Sequence, residues 1–157
     1  MSTEGLKIQG FSRVKIMEGG KCVGDSGFVG PNQITNLGFR QYLCMALGGE
    51  GGSKQVGFVA LGTGSTPASN ATTLPDEIMV STSRKAVTAA SDASTTEVFT
   101  ATFASSDSFL SAAANLSNIG LFDVSNTDAQ IFAGNTYTSS SCNTNQDVNV
   151  TYEIRFS

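Results

Sequence analysis

The chain has 157 residues and a mass of 16.3 kDa, which is the size of one ordinary domain. Charged residues make up 14% of it, against roughly 25% in an average globular protein, and the net charge is -4. A nucleic-acid surface needs clustered positive charge, and a membrane span or signal peptide needs a long apolar stretch. The sequence shows neither, so we expect a soluble intracellular product with no nucleic-acid or membrane partner.

The first thirty residues alternate between apolar and polar side chains. Leu6 to Phe11 and Val14 to Ile16 follow this period of two, which is typical of half-buried strands. Glu18 to Lys21 supplies a glycine turn into a short segment at Cys22 and Val23. Residues 1–30 are therefore predicted to form a β-meander, either as strands of the same sheet or as an arm that packs on a neighbouring chain.

One segment departs from the period of two. From Ile34 to Leu47, apolar residues recur at spacings of three and four, which predicts an amphipathic α-helix near residues 34–47. Asn32 or Thr35 can cap its start, and Gly48 follows its end.

The rest of the chain contains short strand-like segments separated by clusters of Gly, Ser, Asn and Asp. A long polar loop is predicted from Gly62 to Thr73, and the Ser-, Thr- and Ala-rich stretches from Ser81 to Ser117 and from Ser139 to Asn145 suit surface loops. This pattern predicts a single β-rich domain over residues 1–157, mainly β, folded as an antiparallel β-sandwich or jelly roll with one helix. The predicted strands are Val56–Leu61, Ile78–Val80, Lys85–Thr88, Glu97–Ala104, Asn118–Asp123, Ala129–Tyr137 and Asp147–Phe156.

Candidate catalytic residues are scarce, because the chain has no His and no Trp. The loop from Gly62 to Thr66 superficially resembles a phosphate-binding glycine loop, but no Lys-Ser/Thr follows it and Pro67 interrupts any helix, so a plain surface loop is predicted. The adjacent carboxylates Asp76 and Glu77 are predicted to lie in a solvated turn. We predict no enzyme, no catalytic residues and no cofactor-binding residues.

Three further groups of residues have a structural interpretation. The basic pair Arg84 and Lys85 is predicted to discourage edge-to-edge aggregation at a strand start, or to contact an acidic partner. Asp123, Asp128 and Asp147 fall at strand ends without the spacing of a calcium loop, and Cys22, Cys44 and Cys142 are too far apart for a zinc site. No metal site is predicted, and buried or idle thiols are expected. Most aromatic residues lie inside predicted strands and are assigned to the core, with Tyr137 at a strand end as the one candidate for contact with a glycan.

Several segments, taken together, resemble small structural proteins of tailed bacteriophages. The resemblance covers roughly residues 29–157 and depends on the patterns Asn32–Gly38, Ala60–Pro67, Phe99–Phe103, Ile119–Asp123, Ile131–Tyr137 and Val148–Phe156. It implies a virion component with a β-sandwich fold. It carries over no catalytic residues.

Within that class, the expected function is a capsid decoration, or cement, protein. Such a protein would bind the lattice of the phage major capsid protein, favour a homotrimer, and stabilise the head of a virion assembled in the host cytoplasm. A tail component, such as a fibre, baseplate or adaptor subunit, is the alternative, and a carbohydrate-binding module is a third. The partner-binding residues are not predicted by the sequence.

Overall fold

The computed structural model describes residues 5–78, 84–93, 95–126 and 130–157. Within these ranges the chain forms ten strands, one short helix, α1, and a 3-10 turn at Ser105–Asp107. The helix is π-helical over Gly38–Cys44 and ends in an α-helical turn, Met45–Leu47. The strands are β1 (Ile8–Glu18), β2 (Lys21–Asp25), β3 (Gln33–Ile34), β4 (Phe58–Gly62), β5 (Arg84–Ala86), β6 (Thr88–Ala93), β7 (Thr96–Phe103), β8 (Ala114–Phe122), β9 (Ala133–Cys142) and β10 (Asp147–Phe156).

The strands form two five-stranded sheets in which every described pair is antiparallel. Sheet 1 has the order β2-β1-β10-β7-β6, and sheet 2 has the order β3-β9-β8-β4-β5. The prediction of a mainly β, antiparallel sandwich with one helix is therefore confirmed. In the described part of the chain, no helix is long and apolar enough to cross a membrane.

Alternation along the central strands builds the core between the sheets. On β1, Val14 and Ile16 point inward and are buried, whereas Arg13 and Lys15 point to the outer face. β10 pairs with β1 over ten residue pairs, from Ile8 opposite Phe156 to Met17 opposite Asp147. β1 is thus an interior strand of sheet 1, because β2 lies on its other side.

The chain passes from one sheet to the other along both sides of the sandwich. On one side, Val29 bridges to Ser12 in sheet 1, and the following β3 pairs with β9 in sheet 2. Asn135 fixes this crossing, since its Nδ2 donates to the Val29 carbonyl at 2.7 Å and to Ser12 Oγ at 3.2 Å. On the other side, β5 of sheet 2 continues through Val87 directly into β6 of sheet 1.

Several predicted boundaries are wrong. Ile34 is not helical, because it pairs with Ala133 as part of β3. Within the Ser-, Thr- and Ala-rich stretch from Ser81 to Ser117, β6 was not predicted and β8 begins at Ala114, before the predicted Asn118, whereas β5 and β7 lie close to the predicted strands Lys85–Thr88 and Glu97–Ala104. The stretch from Ser139 to Asn145 begins inside β9. These segments pair with their neighbours through backbone hydrogen bonds, which do not require apolar side chains. Of the other predictions, Met79, Val80, Asp128 and Ala129 lie outside the described residues.

Candidate functional site

The helix α1 is attached to the end of the sandwich through the residue that caps it. Thr35 Oγ1 accepts a hydrogen bond from the Gly38 amide at 2.9 Å and donates one to the Ile131 carbonyl at 2.7 Å. Asn36 and Leu37, just before the π-helical part, are already helical, so Thr35 is the N-cap of the whole helix and one of the two predicted candidates. Gly38 packs so closely on Phe132 that a Cβ atom at this position would collide with the Phe132 carbonyl oxygen.

The inward side of α1 is held by Tyr42. Its ring is buried and lies 5.1 Å from the ring of Phe132, and its hydroxyl donates to the Gln130 carbonyl at 2.6 Å. Burial, together with the nearby charge of Asp123, raises the pKa of Tyr42. The hydroxyl therefore stays protonated and keeps the helix in one position.

The outward side of α1 is also apolar. Phe39, Leu43 and Leu47 follow one another at spacings of four along the helix. Phe39 is 43% exposed and Leu47 is 90% exposed, whereas Leu43 between them is half-buried and packs against the core. In the ten residues from Gly38 to Leu47, only Arg40 and Gln41 are charged or amide-bearing. A helix that is apolar nearly all round is normally covered on all sides. We call Phe39, Leu43 and Leu47 the outer stripe.

An apolar groove runs beside the helix, across the end of sheet 1. Its first part, a hollow of about 460 Å³, is lined by Leu6, Ile8, Tyr42, Leu43, Ala46, Leu47 and Phe156. Its second part, about 330 Å³, shares Phe156 and the helix residues, and extends to Ala89, Glu97, Phe99 and Ile154. These residues come from β1, β10, β7 and β6, so the groove crosses four strands, or about 14 Å at ~4.8 Å per strand. We call this surface the helix groove.

A neutralised ion pair lies at one wall of the helix groove. Lys54 Nζ lies 2.5 Å from Asp123 Oδ2, and the Asp123 side chain is largely buried. Burial alone would raise the pKa of the Asp123 carboxyl, but the hydrogen bond and charge of Lys54 outweigh it and hold the pKa below its usual range. The pair adds no net charge to the groove, whose lining remains mainly apolar.

One residue of the predicted solvated turn, Glu77, and one residue of the basic pair, Arg84, instead form a buried cluster. The Arg84 side chain is 3% exposed and the Glu77 side chain 5% exposed, with Arg84 Nη2 and Glu77 Oε1 3.1 Å apart. The guanidinium lies 3.8 Å from the centre of the Phe122 ring and donates to the carbonyl oxygens of Val124 and Asn126. Burial raises the pKa of Glu77, against the opposing effect of Arg84. The predictions for Arg84 as an exposed gatekeeper and for Glu77 as a solvated carboxylate are therefore wrong, because the fold brings the two together in the interior.

The other charged candidates are engaged within the chain. Lys85 Nζ pairs with Asp107 Oδ2, and Asp147 Oδ1 accepts a hydrogen bond from the Ser105 amide at 2.6 Å. Asp76 is exposed. Among the residues that the structure describes, no three Cys, Asp or Glu side chains come together as metal ligands would.

The loop after β4 is tied to the neighbouring strand through its carbonyl groups. Ser117 Oγ donates to the Gly64 carbonyl at 2.8 Å, and Asn118 Nδ2 donates to the Ser65 carbonyl at 3.0 Å and to the Pro75 carbonyl at 2.8 Å. Residues 63–73 form no helix, in line with the predicted loop.

The three cysteines differ in exposure, and Tyr137 is buried. Cys142 is buried, which raises the pKa of its thiol to about 11, whereas Cys22 and Cys44 are exposed. Tyr137, the one candidate for contact with a glycan, lies inside β9 and is buried, so it belongs with the core aromatic residues.

Comparison with protein families, with curated proteins and with solved structures finds no match to this chain. The helix groove and the outer stripe are therefore identified by their geometry alone. Sequence periodicity predicted one apolar face for the helix and missed the second. The signal that could have revealed it is the presence of only two polar or charged residues, Arg40 and Gln41, between Gly38 and Leu47.

Proposed function

We propose that the chain is a capsid decoration protein of a tailed bacteriophage, which binds the major capsid protein lattice as a homo-oligomer and stabilises the head. Two observations support this proposal: the resemblance to small phage structural proteins, and the β-sandwich that the resemblance implies. The observation that carries it is the helix α1, which is apolar on its inward and outward sides yet lies at the surface. Such a surface is suited to being covered when the protein is part of an assembly.

The physical properties of the chain fit a subunit that is repeated many times over a shell. Each copy needs only a modest affinity, because linked or repeated contacts raise the overall affinity by a large factor. The charged fraction is low and the described ion pairs lie within the chain. Attachment through apolar contacts should therefore change little with salt concentration.

The alternative location is the tail, as a fibre, baseplate or adaptor subunit. The apolar helix supports an assembled protein in either location, so the two proposals differ in copy number. A decoration protein is expected in numbers that match the capsid lattice, and a tail subunit in few copies.

The test is to add the purified protein to phage particles that lack it and to count the bound copies by quantitative mass spectrometry. Lattice-matched loading that persists in 1 M NaCl supports decoration through apolar contacts. A few copies per particle would move the proposal to the tail, and release by moderate salt alone would contradict the apolar attachment.

A further inference from the structure

We propose that copies of this chain bind one another through the outward side of α1, with Leu47 of one copy seated in the helix groove of the next. This inference does not depend on whether the protein sits on the head or the tail of a virion. It names the occupant of the groove as a second copy of the chain.

The surface carries both halves of such a contact. Leu47 is 90% exposed and Leu6 is 75% exposed, and both stand at the rim of the hollow of about 460 Å³ that Ile8 and Phe156 line. Protruding apolar side chains thus lie beside an open apolar hollow on the same molecule. A surface that supplies both features allows copies of the chain to form either a two-fold symmetric dimer or a closed ring.

Charge complementarity favours a second copy over an unrelated partner. Arg40 is exposed on α1, and Glu97 lines the far end of the helix groove. Among the described residues neither has an ion-pair partner, although Glu97 accepts a hydrogen bond from Ser91. One copy therefore offers a cation without an ion-pair partner on the same helix as its protruding leucine, and a carboxylate without one in the part of the helix groove beyond the hollow.

The spacing of these groups is compatible. Arg40 and Leu47 are seven residues apart on the helix, a separation of at most about 10 Å along its axis at the α-helical rise of ~1.5 Å per residue, because the π-helical part rises less steeply. Glu97 lies two strands away from Ile8 and two residues along, a separation of about 12 Å by the usual strand dimensions. The flexible Arg side chain can span the difference, so Leu47 and Arg40 of one copy can reach the hollow and Glu97 of another together.

The experiment measures the native mass of the full chain by sedimentation velocity over a range of concentrations. Wild type is expected at a multiple of 16.3 kDa, and Leu47→Glu should weaken association at least tenfold. Val23→Glu is the matched control, because Val23 is also an exposed apolar residue and gains the same charge, but lies on β2 near the other end of β1. It should associate as wild type does, and circular dichroism should show all variants folded.

A charge exchange tests whether the partner is the chain itself. Arg40→Glu and Glu97→Arg should each weaken association. The double variant should recover most of the lost affinity, since a carboxylate at position 40 can then pair with a guanidinium at position 97. The two exposed thiols give a second readout: labelling of Cys44, one turn before Leu47, should slow as the protein associates, whereas labelling of Cys22 on β2 should not.

Four results would overturn the inference. They are a wild type that stays monomeric at the highest concentration, a Leu47→Glu protein that associates normally, a Val23→Glu protein that is equally impaired, and a double charge variant that remains as weak as either single variant. A monomeric wild type would also remove the homo-oligomer from the proposed function, but attachment to the capsid is counted separately in the particle-loading experiment. Failure of this inference and failure of the proposed function are therefore distinguishable.

Discussion

The buried Arg84 cluster allows a sharp test of how burial controls the strength of an ion pair. Arg84→Met keeps much of the side-chain volume but leaves Glu77 as a buried carboxylate without its cation, and it removes the contact with Phe122. Removal of one partner of a buried pair costs about 3–5 kcal/mol. We therefore expect the free energy of unfolding to fall by about 4 kcal/mol.

Arg155 provides a matched control on the outer face of the sandwich. Its guanidinium lies 4.1 Å from the centre of the Phe11 ring and 2.6 Å from Glu153, so it has the same two kinds of contact as Arg84. The Arg155 side chain is, however, 44% exposed. The Glu153 side chain is only 14% exposed, but the guanidinium side of the pair is open to water, so Arg155→Met should cost about 0.5–1 kcal/mol.

The assay is urea-induced unfolding followed by far-ultraviolet circular dichroism, because the chain has no Trp for fluorescence. With a urea dependence of about 2 kcal/mol per molar, the Arg84→Met midpoint should fall by about 2 M. Adding Glu77→Leu to Arg84→Met removes the buried, unpaired carboxylate and should recover most of the lost free energy of unfolding. If Arg84→Met and Arg155→Met cost the same, the argument from burial is refuted.

Three further predictions concern the attachment of α1 and the Lys54–Asp123 ion pair at the wall of the helix groove. Thr35→Val removes the hydroxyl that caps the helix and should cost about 1–2 kcal/mol in urea unfolding, whereas Thr35→Ser should cost less than half as much. Gly38→Ala forces a Cβ into a backbone carbonyl and should destabilise the fold, whereas Gly51→Ala, in open space, should change stability by less than about 0.5 kcal/mol. Because the pKa of the Asp123 carboxyl is lowered in the folded state, its contribution is present above the unfolded pKa and is lost as pH falls through the folded pKa. Asp123→Asn should therefore flatten the acid limb of the stability profile below the ordinary carboxyl pKa of about 4, and an unchanged limb would contradict the assignment.

The sequence predicted strands best where one face of the strand is buried and the other is solvated. β10 matches its predicted bounds, Asp147 to Phe156, because apolar and polar residues alternate along its whole length. β6 went unpredicted, since all of its residues from Thr88 to Ser91 are exposed and none alternates with a buried neighbour. Ile34 shows a different limit, because an apolar residue next to a helix has the same pattern whether it begins the helix or ends a strand.

The candidate site was less predictable than the fold, since its parts are brought together by long-range packing. Glu77 and Arg84 are seven residues apart in the chain, and nothing in their spacing indicates that they will be buried as an ion pair with the Arg84 guanidinium over Phe122. The helix groove joins residues as distant as Ile8 and Phe156, which are neighbours only because β1 pairs with β10. Periodicity indicates which side of an element is apolar, but it does not indicate which apolar side remains uncovered.

The attachment of α1 explains why its exposed side is suited to binding. Thr35, Gly38 and Tyr42 fix the helix to the loop before β9 through hydrogen bonds and close packing, so its backbone position is set before any partner arrives. Association at a rigid surface loses little conformational freedom, and more of the contact energy then appears as affinity. An outer stripe held in this way can contribute to binding with only three apolar side chains, which a mobile segment of the same composition would not do as effectively.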